Sequence, residues 1–396
     1  MIVYCLPPME DLLRVDVVII GAGPAGLGCS LSLRRRGVES VLVLEASSVG
    51  SSFAAWPKEM RMITPSFHAN PFLQTDLNAI HPDTSPADLH GCEHPSGEQY
   101  AAYLQASVQH FTLPVKENQP VSSVHAITDG FRIETPELTI ETPNVVWAGG
   151  EFSQPRIPEF EGAALCRHNS TIDSWDNLNG DGIIIIGGYE SGMDAAFHLV
   201  ERGKAVAVLS NGEPWLNDHP DPSESLSPYT RGRILDVLHR FPKKLALQGN
   251  SEVVRVTQNS DGYLVELANG KSYRTSVQPI LATGFRSALT PVKNLFEWDN
   301  GQPVFTEQDQ STLHAGLFYS GPSLVQRLSK FCFIYKFRAR FGVVAAAIAE
   351  RLELNSDPIA DEVARGFHIT DLECCTDCEC AIESTAPEFA DVEVVD

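Results

Sequence analysis

The sequence has few basic residues and no long apolar run. Its 396 residues include 29 Lys and Arg against 51 Asp and Glu, so the formal net charge is −22. This excess of negative charge argues against nucleic acid as a general partner, because the phosphate backbone would repel the protein. No stretch of 18 uncharged apolar residues is present, which predicts that the chain has no membrane span. The first residues lack the basic start and apolar stretch of a secretory signal, so we expect a cytoplasmic protein.

Cysteine is sparse along most of the chain and concentrated near its end. The nine cysteines are odd in number and scattered, which fits a reducing cytoplasm better than a secreted disulfide framework. Cys374, Cys375, Cys378 and Cys380 lie within seven residues of one another. Residues 356–396 are rich in Asp and Glu, and we interpret them as an acidic, cysteine-rich tail.

A glycine-rich turn follows the apolar run 17–20 near the start of the chain. Gly21 permits the sharp turn, Gly23 lets the backbone approach a diphosphate, and Gly26 lets the next helix pack closely on the strand. That helix, which begins at Pro24, presents free N–H groups and the positive end of its dipole to phosphates. Glu45 ends the next predicted strand about 20 residues later, where it can bind a ribose diol.

A second turn of the same kind follows the apolar run 183–186. Two such turns, one near the start of the chain and one near its middle, predict a protein that holds two dinucleotides. The residues expected to bind the second nucleotide are Gly187, Gly188, Ser191 and Gly192.

The second turn departs from the usual pattern at two positions. Tyr189 stands where the second glycine normally lies, and its bulk hinders close approach to a diphosphate. The carboxylate of Glu190 would repel phosphates unless it points away. The sequence after the next strand, 210–212, contains no arginine to hold a 2′-phosphate. We therefore expect NADH to be favoured over NADPH.

The first turn resembles the FAD site of the two-dinucleotide-binding-domain flavoproteins, in particular their thioredoxin reductase-like members. The turns at 148–150 and 282–284 resemble those by which such proteins pass from the FAD domain to the pyridine-nucleotide domain and back. Within this group the chain is similar to bacillithiol-disulfide reductases and flavin-containing monooxygenases. Pro322 replaces an Asp that binds the flavin ribityl chain in most relatives. The resemblance implies that FAD is held by Gly21, Gly23, Pro24, Ala25, Gly26, Glu45, Ala46, Trp56, Val121, Ala148, Gly149 and Gly321.

The same resemblance implies an α/β fold with two Rossmann-like, three-layer dinucleotide-binding domains, the second inserted in the first. We assign 10–148 and 285–355 to the FAD-binding domain, 151–281 to the NAD(P)H-like domain, and 356–396 to the tail. Family analogy also implies a homodimer.

The implied activity is that of an FAD-dependent oxidoreductase passing electrons from NAD(P)H, or another donor, to a small-molecule or protein disulfide or another small acceptor. Disulfide reductases of this superfamily place a cysteine pair against the flavin, either soon after the FAD glutamate or just before the second turn. Residues 46–66 contain no cysteine, and Cys166 stands alone before the second turn. Cys375 and Cys378, with dithiol spacing, are therefore the candidate catalytic pair. The four tail thiols could instead hold Cu(I) or Zn(II), or have no function, and we assign no metal site.

Two other functions stay open. Residues 149–158 and 190–194 are similar to flavin-containing monooxygenases, although Cys166 stands where their FxGxxxH fingerprint has histidine and His168 comes two residues late. Alternatively, the nicotinamide site is not functional, and the flavin takes electrons from ferredoxin or a second flavin. Cys332 lies in a basic, aromatic segment. It is the other candidate thiol near the flavin, although packing in the core is the favoured role.

Overall fold

The computed structural model describes residues 12–68, 72, 74–219, 221, 223–327 and 329–372. Its strands are β1 (Leu12–Arg14), β2 (Val17–Ile20), β3 (Val41–Leu44), β4 (Val115–Lys116), β5 (Ser123–Ile127), β6 (Gly130–Glu134), β7 (Thr139–Thr142), β8 (Asn144–Trp147), β9 (Arg167–His168), β10 (Ile183–Ile186), β11 (Val206–Leu209), β12 (Leu245–Gln248), β13 (Val253–Asn259), β14 (Gly262–Leu267), β15 (Ser272–Thr275), β16 (Ile280–Leu281), β17 (Glu297–Asp299), β18 (Gln302–Val304), β19 (Leu317–Tyr319), β20 (Val325–Gln326) and β21 (Ser329–Lys330).

The α-helices are α1 (Pro24–Arg35), α2 (Ser51–Ala54), α3 (Pro86–His90), α4 (Gly97–Phe111), α5 (Glu190–Glu201), α6 (Pro228–Arg240), α7 (Ile334–Phe337), α8 (Phe341–Arg351) and α9 (Ala360–Ala364). Among the described residues, none of these helices is both long and apolar enough to cross a membrane.

Two parallel five-stranded sheets organise the molecule. The first has the order β19-β8-β2-β3-β4, and the second has the order β12-β11-β10-β16-β9. Strands β2 and β10 are the central strands of their sheets and are buried along their whole length. Short β-branched runs suit such positions, because a parallel sheet is covered on both faces. The predicted α/β fold is confirmed.

The strands of the second sheet lie, in sequence, between those of the first. The first sheet takes its strands from residues 17–147 and 317–319, whereas those of the second fall within 167–281. Helix α8 returns to pack on α1, where the ring of Phe341 fills the space that a side chain at Gly28 would need. This order matches an insertion of the second unit in the first, while the domain boundaries assigned above stay a prediction.

Smaller antiparallel sheets flank the two main sheets. Strands β5, β6 and β7 are antiparallel, with β1 added parallel to β7, and β13, β14 and β15 form a three-stranded sheet. The buried apolar residues form one large core around the first sheet and two smaller cores around the second. The two glycine turns therefore stand at the edges of separate, well-packed units.

Candidate functional site

The two glycine turns have the same local construction. In the first, the Gly21 amide donates to the Leu44 carbonyl at 2.8 Å, and the Ala148 amide donates to the Ile20 carbonyl at 2.8 Å. In the second, Gly187 donates to Leu209 and Ala282 donates to Ile186, both at 2.8 Å. Each turn is thus fixed between the carboxyl ends of neighbouring parallel strands, where nucleotides bind in open α/β sheets.

The glycines of the first turn are required for two different reasons. Gly21 has a φ of +109°, and a Cβ there would lie 2.4 Å from the Ala148 carbonyl oxygen. A Cβ on Gly26 would lie 1.9 Å from the carbonyl oxygen of Gly21. Around Gly23, by contrast, there is no atom within 4 Å of an added Cβ among the described residues. The protein itself gives Gly23 no steric reason to be glycine, which fits a position that must admit the diphosphate of a bound ligand.

The Glu45 carboxylate faces the first turn. The Ala22 amide donates to its Oε2 atom at 2.8 Å, and the Ser47 amide donates to its Oε1 atom at 3.0 Å. The residue is 8% exposed and lines the same cavity as the turn. Each carboxylate oxygen can accept more than one hydrogen bond, so the group can still receive the hydroxyls of a ribose.

A cavity of about 770 Å³ opens beside the first turn. Its volume lies in the range of small-molecule and cofactor sites. Of the residues expected to hold FAD, those that line this cavity are Gly21, Gly23, Pro24, Ala25, Glu45, Ala46, Trp56, Val121, Ala148 and Gly149. Gly26 and Gly321 are not among its lining residues, although both were predicted to contact the cofactor. Gly26 packs against the turn, and Gly321, with φ +143°, lies against the Tyr319 ring.

A second cavity, of about 730 Å³, opens beside the second turn. Gly187, Gly188 and Ser191 line it, as predicted for a nucleotide site, whereas Gly192 does not. A Cβ on Gly192 would lie 1.9 Å from the Gly187 carbonyl oxygen, so this glycine serves helix packing as Gly26 does in the first turn.

The two unusual side chains of the second turn are bound to the start of helix α6. The Tyr189 hydroxyl donates to the Ser225 carbonyl at 2.8 Å. The Glu190 carboxylate accepts from the Ser227 amide and, at 2.6 Å, from the Thr230 hydroxyl. A carboxylate is favoured at this end of a helix, although burial raises the pKa of Glu190. The Glu190 carboxylate is therefore hydrogen-bonded to the N-terminus of α6. These bonds lessen the repulsion between Glu190 and the phosphates of a nucleotide that the sequence predicts.

The charges around the second cavity are mainly negative. Among the described residues that line it, Arg156 is the cation, while Glu159, Glu190 and Glu252 are the carboxylates. Arg156 comes from the extended segment that follows β8, not from the loop after β11, where an arginine that holds a 2′-phosphate usually lies. The sequence around Arg156 did not indicate that this residue lines the second cavity.

The two cavities share wall residues. Glu190 and Ser191, in the first turn of helix α5, line both of them. The second nucleotide turn therefore also forms part of the wall of the first cavity. Ligands bound in the two cavities would approach each other at this point.

The described cysteines do not form a pair in the first cavity. Cys332 lines it and is exposed, so the expectation that Cys332 packs in the core is wrong. Its Sγ atom donates to the Ser223 hydroxyl at 3.1 Å. Desolvation by the surrounding protein atoms raises the pKa of the thiol. Cys166 is half-buried, and desolvation raises its pKa to about 11. The predicted pair Cys375 and Cys378 lies outside the described residues.

His168 has a structural environment. Its Nε2 atom lies 3.1 Å from the Gly284 carbonyl oxygen, and its Nδ1 atom lies 2.8 Å from the Ser170 hydroxyl. The ring also meets Phe285 edge-on at 5.4 Å. These contacts position the turn at 282–284, by which the chain leaves the second sheet.

Sequence reasoning missed Glu151, which lines the first cavity directly after Gly149 and Gly150. No hydrogen bond or ion pair to its carboxyl is found in the described part of the chain, and desolvation raises its pKa to about 7. The residue stands within a segment noted for its similarity to monooxygenases. The sequence around Glu151 contains no signal for this position, because most of the other residues that line the cavity come from distant parts of the chain.

Two parallel sheets, each with a glycine turn and a cavity at its carboxyl edge, are typical of proteins that bind two dinucleotides. The family model described as pyridine nucleotide-disulphide oxidoreductase matches residues 18–321. The chain belongs to this family of FAD-dependent oxidoreductases. The suspected membership of the two-dinucleotide-binding-domain flavoproteins is thereby confirmed.

Proteins similar to this chain have names that describe different chemistry. The uncharacterized oxidoreductase CzcO of Bacillus velezensis is 26% identical over 201 residues, covering 50% of this chain. The match spans 55% of that relative's own length. The structure of the bacillithiol disulfide reductase Bdr from Staphylococcus aureus has a TM-score of 0.71 at 22% identity, over 86% of this chain and 99% of that one. A flavin-containing monooxygenase from Stenotrophomonas maltophilia gives 0.65 at 19% identity, over 86% and 100%. At such identities these two structures show the fold alone.

Proposed function

We propose that this protein is an FAD-containing oxidoreductase that takes electrons from NAD(P)H and passes them to a disulfide or another small acceptor. The observation that carries the proposal is the shared wall at Glu190 and Ser191, which brings the two nucleotide cavities together. Direct transfer of a hydride requires such contact, because the reacting atoms must come within about 3–3.5 Å of each other.

FAD would occupy the first cavity. The amides of the turn at 21–26 and the N-terminus of α1 would hold its diphosphate, and Glu45 would bind its ribose. Trp56, Val121 and Gly149 would line the remainder of the cofactor. When bound, FAD supplies the two-electron chemistry, and the chain binds it, orients it and excludes water.

The pyridine nucleotide would occupy the second cavity. Gly187, Gly188 and Ser191 would contact it, and Arg156 is the cation available to its phosphates. The three carboxylates around this cavity oppose the additional charge of a 2′-phosphate. The proposed donor is therefore NADH in preference to NADPH.

The proposed path to a disulfide runs through Cys375 and Cys378. The described chain approaches the first cavity shortly before these residues, since the Ile369 amide donates to the Ala339 carbonyl at 2.8 Å and Phe337 lines the cavity. Cys375 follows Ile369 by six residues, a span of at most roughly 20 Å in an extended chain. Two electrons and two protons would convert the bound disulfide to two thiols.

Rapid mixing of the purified flavoprotein with each nicotinamide under anaerobic conditions tests the proposal. NADH should bleach the visible absorption of the flavin faster than NADPH does, and a disulfide should then restore it. Replacing Cys375 and Cys378 by Ser should abolish the second phase, whereas Cys92→Ser serves as the matched control. A protein that binds no flavin, or a flavin that neither nucleotide reduces, would contradict the proposal.

Monooxygenation is the second candidate. It is favoured because, among the described cysteines, Cys332 alone lines the first cavity and its thiol is protonated at neutral pH. Oxygen consumption coupled to a hydroxylated product, unaffected by loss of the tail cysteines, would support it. If the flavin is reduced by ferredoxin or a second flavin but by neither nicotinamide, the second cavity is not a donor site.

We also propose a cellular compartment and an oligomeric state for this protein. We place the protein in the reducing cytoplasm, as a homodimer acting on a small-molecule or protein disulfide. Light scattering during gel filtration tests the assembly, and a monomer at micromolar concentration would contradict it.

A further inference from the structure

The first cavity contains several charged or titratable side chains, and Glu151 is distinct among them. The residues of this kind in its wall are Glu45, Arg61, Glu151, Glu190, Asp194 and Cys332. Glu45 is bound to the amides of Ala22 and Ser47, and Glu190 is bound to the N-terminus of α6. The carboxyl of Glu151 has no such partner in the described ranges.

The remaining charged groups of the cavity are also engaged. Asp194 accepts from the Arg233 guanidinium at 3.0 Å, which belongs to α6. Arg61 donates to the carbonyls of Lys58 and Met60 at 2.8 and 2.9 Å. Cys332 donates to a serine hydroxyl, as described above. These groups have fixed roles in the wall, whereas the Glu151 carboxyl is available to whatever fills the cavity.

The surroundings of Glu151 are aromatic and neutral. Phe152, the next residue, packs on Phe285 with ring centroids 5.4 Å apart. Tyr319, from strand β19 of the first sheet, is fully buried, and the negative charge of Glu151 adds to the desolvation that raises the Tyr319 pKa. Tyr319 therefore stays neutral, and no cation is within range to hold Glu151 ionised among the described residues.

We propose that Glu151 is the proton-exchanging residue of the first cavity, donating one proton to the acceptor during its reduction and recovering it from solvent. The proposal rests on the function proposed above. Cleavage of a disulfide by two electrons gives two sulfur anions, which need two protons to become thiols. The hydride that enters from the nicotinamide carries one proton with its two electrons, and Glu151 supplies the other.

The protonation of Glu151 suits this role. Its desolvated carboxyl, with a pKa of about 7, is present in both forms near neutral pH. A general acid works best when its pKa lies close to the operating pH, because it can then both release and recover its proton. An ordinary exposed glutamate, with a pKa near 4.3, would hold little of the acid form.

The first test measures the proton on Glu151 in the protein without flavin. Infrared titration should show a protonated carboxyl that ionises near pH 7 in the wild type and is missing in Glu151→Gln. Glu161→Gln removes an exposed carboxyl that lines neither cavity and should leave the signal in place. Absence of a carboxyl titrating between pH 6 and 8 in the wild type would overturn the proposal, whether or not the protein binds flavin.

The second test follows reoxidation of the reduced flavoprotein by a disulfide as a function of pH. The wild-type rate should fall above pH 7, and Glu151→Gln should lower it by about 10²-fold and remove that dependence. Glu151→Asp, which restores an acid, should recover part of the rate. Identical pH profiles in wild type and Glu151→Gln would refute the proposal. Failure of the nicotinamide to reduce the wild-type flavin would instead contradict the proposed function.

Discussion

Glycines at neighbouring positions of one turn serve different physical purposes. A Cβ on Gly26 would collide with the turn itself, whereas a Cβ on Gly23 would enter open space. The glycine pattern gives these two positions different roles, and of the two only Gly26 is required by the fold. Substitutions at Gly23 and Gly26 can therefore distinguish an effect on ligand binding from an effect on folding.

We expect Gly23→Ala to leave the free energy of unfolding of the flavin-free protein unchanged or slightly higher, because alanine fits its φ of −85°. FAD affinity should fall at least about tenfold, or about 1.4 kcal/mol. Gly26→Ala should lower the unfolding free energy by about 1–3 kcal/mol through overpacking. Urea unfolding and flavin titration measure the two quantities. Equal FAD affinity in Gly23→Ala and wild type would show that the diphosphate does not approach this residue.

Glu151 also predicts a pH dependence of stability. Its pKa of about 7 in the folded protein lies above the unfolded value near 4.3, so the folded state binds the proton more tightly. The contribution of this group to stability should then be greatest below about pH 4. It should fall as the pH rises from about 4.3 to 7, by at most about 4 kcal/mol. In Glu151→Gln this contribution should vanish. Urea unfolding of the two flavin-free proteins at pH 5 and pH 8 gives the difference, and a parallel loss in both proteins would contradict the expectation.

The second turn and the start of helix α6 act as one unit at the scale of elements. Tyr189 and Glu190 bind residues 225–230. The preceding stretch reaches the wall of the first cavity, where Cys332 donates to the Ser223 hydroxyl. The residues that replace the usual turn sequence therefore connect the second nucleotide cavity to the first. This arrangement explains how Tyr189 can be retained at a position where glycine normally lies.

Two substitutions of Tyr189 distinguish the effect of its ring on NADH binding from the effect of its hydroxyl hydrogen bonds. Tyr189→Gly should tighten NADH binding several-fold if the ring hinders the diphosphate, since glycine allows closer backbone approach. Tyr189→Phe keeps the ring and loses the bond to Ser225, so it should leave the affinity for NADH close to that of the wild type. Fluorescence titration with NADH measures both. Weaker binding in Tyr189→Gly would indicate that the nucleotide stacks on the ring instead.

The sequence predicted best those features that a few neighbouring residues encode. Glycine spacing and β-branched runs specified both turns and the α/β fold, because sterics and burial act locally there. Glu151 was missed and Cys332 was misjudged for the opposite reason. Glu151 lies near Tyr319, and its neighbour Phe152 packs on Phe285. Cys332 contacts Ser223, so both environments depend on contacts across more than a hundred residues. Cys375 and Cys378 lie outside the described residues and stay a prediction.

The whole molecule contains separate cores around its two parallel sheets, and the large core includes both chain segments that flank the inserted unit. A ligand that binds beside the first turn should stabilise this core in particular. At a concentration of 100 times its Kd, FAD should add about 2.7 kcal/mol to the folded state and raise the unfolding temperature by about 5 °C. Riboflavin, which lacks the diphosphate, should have little effect, and Gly23→Ala should reduce the shift caused by FAD. Equal shifts with riboflavin and FAD in calorimetry would show that the glycine turn does not hold a diphosphate, and the assignment of the first cavity would then be wrong.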